Sequence, residues 1–284
     1  MVFVVVCLSG WCLAAPGSAQ AAPSPEPIAT DDCGVAPPSK PGGGTWECTF
    51  ADEFDGVHLD RSKWTPQTRL SSGTNDARAC NVDDPRNVSV SGGALRLTVR
   101  EASRSMDCGK KQGDYTAGSI TTYHKFSQQY GRFEARVTSA DATVPGLQEA
   151  FWLWPDDRAS KFWWLPLSGE IDIAETYSQH PKLAIPYLHY LGVDSLISRP
   201  GHNTAWDCKA ERGTYNTYTL TWTRRSLIID VNGETCLVNT SGNRAFNKPY
   251  IAAFSALLGQ GRNELTPETP LPATMSVDYL RVWR

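Results

Sequence analysis

The stretch Ser168-Gly169-Glu170-Ile171-Asp172-Ile173-Ala174-Glu175-Thr176 sets three carboxylates within six positions. On a β-strand, Glu170 and Asp172 share one face, while Ile171 and Ile173 point the other way, toward a core. Glu175 has the wrong parity for the polar face. A β-bulge at Ala174 would add one residue and return Glu175 to the side of Glu170 and Asp172. Like charges crowded on one face raise the cost of ionising each, so at least one group stays protonated near neutral pH. Glycosidic bond cleavage needs such an acid beside an ionised carboxylate: one donates to the leaving oxygen, the other attacks the sugar or activates water. Four effective strand steps of ~3.3 Å put roughly 13 Å between the Glu170 and Glu175 backbones. Two side chains leaning together can close that to the ~5–5.5 Å of a retaining pair. Taken alone, the pattern is equally open to a solvated or edge-protecting strand or a calcium ligand set.

The surrounding residues favour a saccharide. Four of the ten tryptophans, Trp152, Trp154, Trp163 and Trp164, fall within thirteen positions just before the carboxylates. Indole offers a flat apolar face with one polar edge, and sugar rings present apolar C–H faces to it. Of the alternating pair Trp152 and Trp154, at least one is expected to turn its ring into the core.

The elements that would hold these groups are strands. In Gly93–Arg100, Leu95, Leu97 and Val99 share one face and Arg96, Thr98 and Arg100 the other. Residues 218–223 alternate in the same way. Residues 227–238 read as two strands around an Asn232-Gly233 turn, and 276–283 as a closing strand. No long amphipathic helix and no internal repeat is evident. Many short strands over some 240 residues predict a single all-β sandwich or jelly roll.

Across 284 residues, 27 Lys+Arg oppose 30 Asp+Glu, a net charge of −3. That balance excludes a partner held by bulk electrostatics, whether nucleic acid or an anionic membrane surface. With 40% hydrophobic and 20% charged residues the chain can bury a core. Residues 1–21 join a short apolar run to Ala19-Gln20-Ala21, the pattern of a secretory signal peptide. Ser9, Gly10 and Pro16 break the run too early for a membrane anchor. Residues 22–45 form a Pro/Gly-rich leader with no core of its own. Six cysteines remain after residue 21, and sequence order suggests the pairs 33–48, 80–108 and 208–236. No zinc-ligand spacing accompanies them. Asn87-Val88-Ser89 and Asn239-Thr240-Ser241 match the N-glycosylation acceptor pattern.

The segment Gly169–Glu175 resembles the active-site strand of glycoside hydrolase family 16, in the bulged form of laminarinase-like β-1,3-glucanases. Further motifs follow in the family's order: Phe50–Gly56 with Leu59-Asp60 and Lys63-Trp64, Tyr115–Ile120, Tyr130–Arg136, Tyr187–Tyr190 and Val277–Trp283. The resemblance spans nearly all of residues 46–284. It implies a concanavalin-like β-jelly roll with an open cleft and a retaining double displacement on polysaccharide, with β-1,3-glucan preferred. Glu170 would be the nucleophile and Glu175 the general acid/base. Asp172 would tune the nucleophile, and His189 would sit near Asp172 or a sugar hydroxyl. Trp152, Trp164 and Trp163 are candidate sugar platforms. No cofactor is required for the chemistry. The resemblance also implies a structural calcium away from the cleft, with Glu53 and Asp278 as candidate ligands. The chain is expected to be a secreted monomer.

Three departures bear on specificity. Where laminarinase-like relatives read Gly-x-Trp-Pro-Ala-Phe-Trp, this chain has Gly146-Leu147-Gln148-Glu149-Ala150-Phe151-Trp152. Leu165 interrupts the usual Trp-Pro before Ser-Gly-Glu, and the segment from Ser198 to Gly213 differs from the common pattern. Agar-, carrageenan- or mixed-linkage-glucan-cleaving relatives share the same carboxylates. A transglycosylase or a non-catalytic carbohydrate-binding protein on the same sandwich are the alternatives.

Overall fold

In the computed structural model the residues described are 33–68, 71–72, 79–108, 112–160, 165, 167–191 and 199–284. The expected signal peptide therefore lies outside them, as does the leader up to residue 32. Two sheets are packed face to face, antiparallel apart from the parallel pairing of Ala79–Asn81 with Gln112–Ala117, in the expected all-β jelly roll. The sheet that bears the carboxylates has six strands: β1 (Thr65–Pro66), β2 (Ser119–Thr121), β3 (Leu147–Pro155), β4 (Glu170–Tyr177), β5 (Ala184–His189) and β6 (Tyr250–Leu258). Their spatial order is β5-β4-β3-β6-β2-β1, so the carboxylate strand β4 is flanked by β3 and β5. The opposing sheet is built around Ala273–Trp283, which pairs with Gly131–Thr138, Leu95–Asp107 and Cys48–Asp52.

Period-two patterning explains the sandwich. In the strand Leu95–Asp107, Leu95, Leu97 and Val99 are buried while Arg96 is exposed. From the facing sheet Phe151, Leu153, Ile171, Ile173 and Phe254 enter the same core, each no more than 1% exposed. Burying each such side chain stabilises the fold by about 1.5–3 kcal/mol. The hairpin Leu227–Val231/Glu234–Asn239 turns at Asn232 and Gly233, with φ of 53° and 82°. A two-residue turn whose central residues both have positive φ matches the twist of its strands.

All three disulfides join the pairs that sequence order suggests: Cys33–Cys48, Cys80–Cys108 and Cys208–Cys236. Such bonds persist in oxidising compartments, and no helix among the described residues is long and apolar enough to cross a membrane. From Cys33 onward the leader is docked rather than free. Cys33 is 1% exposed and packs with Trp46 against Trp283, and the Trp46 amide donates to the Pro38 carbonyl. Both candidate glycosylation asparagines are buried. Asn87 donates through Nδ2 to the Thr98 carbonyl and Thr116 Oγ1, and Asn239 to Tyr190 Oη and the His202 carbonyl. An attached glycan would displace those bonds.

Candidate active site

Strand β4 carries the bulge its sequence demands. Asp172 lies opposite Trp152 of β3, yet Ala174 lies opposite Phe151, so one extra residue is accommodated at Ile173–Ala174. On the other side Asp172 faces Tyr187 and Glu175 faces Ile185, the same one-residue slip. Ile173 and Ala174 both enter the core, at 0% and 2% exposure. Parity is thereby reversed, and Glu170, Asp172, Glu175 and Tyr177 share the cleft face. Gly169 sets the entry to this strand. Its φ is +75°, and a Cβ there would lie 2.3 Å from Tyr250 Oη. Only glycine combines that backbone with so close a neighbour.

Glu170 pairs with His189 across to β5, and His189 Nε2 lies 3.1 Å from Asp172 Oδ2. The His189 ring stacks on Tyr187 at 4.4 Å between centroids. On the β3 side, Gln148 Nε2 donates to Glu175 Oε1 at 2.6 Å and lies 3.4 Å from Tyr177 Oη. Burial raises all three carboxyl pKa values. Burial first and neighbouring carboxylates second push Glu170 well up and Glu175 to about 8, while the His189 bond partly offsets the rise at Asp172. Burial draws the His189 imidazolium down, but its hydrogen bond to Asp172 and the charges of Asp172 and Glu175 together hold it above its ordinary value. At neutral pH the cluster therefore retains protons, as an acid–carboxylate pair requires.

The cleft beside Glu170 encloses about 550 Å³ and is lined by Trp152, Trp154, Thr121, Tyr123, Ile251 and residues 65–68. Trp152 and Trp154 both face it, contrary to the expectation that one ring would enter the core. Residues two apart on a strand share a face, and Phe151 and Leu153 fill the inward positions. Trp152 Nε1 donates to Ser255 Oγ at 3.0 Å, and its ring meets Trp154 edge-on at 6.2 Å. The ring is thus held in place on the cleft wall. Trp163 and Trp164 lie outside the described residues. Trp152→Ala is expected to raise KM for soluble oligosaccharides about tenfold, equivalent to ~1.4 kcal/mol, with a smaller change in kcat. Initial-rate kinetics would check this.

Glu53 and Asp278, the calcium candidates, each face an arginine. Arg281 bonds both Glu53 oxygens at 2.7 Å, and Arg136 Nη1 lies 2.6 Å from Asp278 Oδ2. A cation on these carboxylates would compete with both guanidinium groups. Among the described residues, the one cluster of three His, Cys, Asp or Glu side chains with ligand atoms mutually within 4.8 Å is Glu170, Asp172 and His189. Two of its members already bond one another, and the whole set suits proton handling. Sequence reading did not assign roles to Gln148, Tyr177 or Trp154. Tyr177 was within reach of it, because a bulge that corrects Glu175 also brings Tyr177 to the cleft face.

A family model described as glycosyl hydrolases family 16 matches residues 75–263, about two thirds of the chain. The chain belongs to this family. Glucan endo-1,3-beta-glucosidase A1 of Niallia circulans is 26% identical over 93% of this chain and 41% of its own length. Keratan-sulfate endo-1,4-beta-galactosidase of Sphingobacterium multivorum is 28% identical over 84% of this chain and 55% of its own. The laminarinase of Rhodothermus marinus superposes with a TM-score of 0.70 at 26% identity, covering 84% of this chain and 97% of that one. The chain spans about half or less of the length of the first curated relatives it matches. Within family 16, the bulged carboxylate strand and the tryptophan-lined cleft are the features that bear on chemistry.

Proposed function

We propose that the chain is a secreted, retaining endo-glycosidase that hydrolyses β-linked glucan, with β-1,3-glucan as the preferred polymer. The observation that carries this reading is the return of Glu175 to the face of Glu170 and Asp172, beside a cleft walled by Trp152 and Trp154. Glu170 attacks the anomeric carbon as the glycosidic C–O bond breaks, and Glu175 gives its proton to the leaving oxygen. Water, deprotonated by Glu175, then attacks the same carbon and releases Glu170. Asp172 shares the His189 proton and, as the central carboxyl, sets how much negative charge Glu170 can hold before attack. An acid with a pKa of about 8 is still protonated at neutral pH, which suits Glu175 to the first step. The names of the relatives from Niallia circulans and Rhodothermus marinus support glucan as the polymer.

The test is incubation with laminarin, lichenan, agarose and κ-carrageenan, sizing the products and following the anomeric configuration of the first sugar released. Oligosaccharides of β configuration from laminarin would bear the proposal out. Initial release of the α anomer would overturn retention, and no cleavage of either glucan would overturn the polymer. A second reading, hydrolysis of a different β-linked polysaccharide, is favoured by Gln148 standing where laminarinase-like relatives carry a tryptophan. Cleavage of agarose or carrageenan with laminarin intact would select it.

A further inference from the structure

The departures at Gln148, at Glu149 and in the described part of the segment 198–213 are joined through β3 and β5. Gln148 lies directly across from Tyr177 and on the diagonal to Glu175, on the cleft face of β3. Glu149, one residue on, points between the sheets and is bonded by Arg212 through both carboxylate oxygens at 2.7 Å. Arg212 lies near the end of that segment, whose described part runs beside β5. The Leu188 amide donates to the Asn203 carbonyl, the Ala184 amide to Cys208 and the Ala210 amide to Lys182. Cys208–Cys236 ties the segment to the opposing sheet.

An amide N–H can only donate, and an un-ionised carboxyl has one oxygen that can only accept. A donor fixed on Glu175 Oε1 therefore puts the acid proton on Oε2. Gln148 is 8% exposed and its bond to Oε1 is 2.6 Å, so water does not compete freely for that oxygen. We propose that Gln148 is a positioning residue for the acid/base step. By occupying Oε1 it assigns the proton of Glu175 to Oε2 and holds the carboxyl plane, and the Glu149–Arg212 pair keeps this end of β3 in place. The inference rests on Glu175 being the acid/base.

Around Glu175 the other titrating groups are Asp172 and Glu170 on its own strand, Tyr177 two residues on, and His189 on β5. Tyr177 hydrogen-bonds Glu175 from the same strand, and none of these groups lies on β3, so Gln148 is the contact from that side. Its N–H favours the ionised carboxylate, and its removal shifts the proton affinity of Glu175 upward.

The experiment compares wild type, Gln148→Met and Glu175→Ala on laminarihexaose and on a dinitrophenyl β-laminaribioside. The latter has a leaving group that needs no proton. Gln148→Met keeps the side-chain length and loses the donor. The expected result is a kcat on hexaose lowered about 10- to 100-fold with KM changed less than about threefold. The alkaline limb of kcat/KM would move up by roughly one pH unit, while kcat/KM for the dinitrophenyl substrate stays near wild type. Uniform loss on both substrates with an unmoved limb would mark Gln148 as merely structural and overturn the proposal, as would wild-type behaviour on both. If Glu175→Ala keeps the alkaline limb, the acid/base assignment itself falls. If it loses the limb while Gln148→Met leaves it in place, the Gln148 proposal alone falls.

Discussion

Glu170→Gln is expected to lower kcat on glucan by about 10⁴- to 10⁶-fold, since in the proposed double displacement the group that forms the covalent bond has no substitute. Glu175→Gln is expected to lower it by about 10²–10⁴, the usual worth of a positioned acid/base. Neither change should unfold the protein. Glu175 is a carboxyl whose folded pKa, about 8, lies above its ordinary value of 4.5. Below pH 4.5 it is protonated in both states and carries no penalty. As pH rises toward 8 the unfolded chain ionises freely while the folded chain resists, so stability is progressively lost over that window. Glutamine removes the charge and with it the loss. Glu175→Gln should therefore melt no lower than wild type at pH 5 and higher at pH 8, by calorimetry at both values. Small-to-void variants separate the two roles. Azide should restore turnover to Glu175→Ala with a β-glycosyl azide and to Glu170→Ala with the α anomer, because each void exposes a different face of the sugar. A melting temperature that falls at pH 8 in Glu175→Gln, or full activity in either glutamine variant, would contradict this account.

The carboxylates, their bulged strand and the jelly roll were legible from local pattern. Period-two alternation leaves little freedom about which face a residue takes, and the parity of Glu175 announces the bulge. The disulfide pairing was legible too, because each loop is short enough that neighbours in sequence are neighbours in space. What stayed hidden depends on contacts between distant segments. Gln148 reads in sequence as a missing tryptophan. Only the β3–β4 register, with Gln148 opposite Tyr177, shows that its amide meets Glu175. Glu149 reads in sequence as a missing proline, and Arg212, which pairs with it, lies 63 residues away. The leader looked coreless because its apolar residues are few. What anchors it from Cys33 onward is Trp283, contributed by the last strand.

Arg212→Ala is expected to destabilise the fold by about 3–5 kcal/mol, the cost of leaving a buried carboxylate without its partner. Glu149 and Arg212 side chains are 4% and 2% exposed, joined at 2.7 Å. Thr176 Oγ1 adds a bond to Glu149 at 3.0 Å, and Arg212 Nε donates to the Ala140 carbonyl at 2.9 Å. Water can reach neither charge to replace what is removed. For a domain of this size the loss corresponds to a melting temperature lowered by roughly 6–20 °C. Glu149→Ala should cost a similar amount, since it strands the guanidinium instead. The double variant Glu149→Leu/Arg212→Met should lose much less than the sum of the single changes, because two apolar side chains leave no buried charge behind. Raising the salt should leave the single-variant losses nearly unchanged, unlike those of an exposed pair. Additive losses in the double variant, or an Arg212→Ala protein within about 1 kcal/mol of wild type, would mean that the pair is solvated. The strand end that carries Gln148 would then need another anchor.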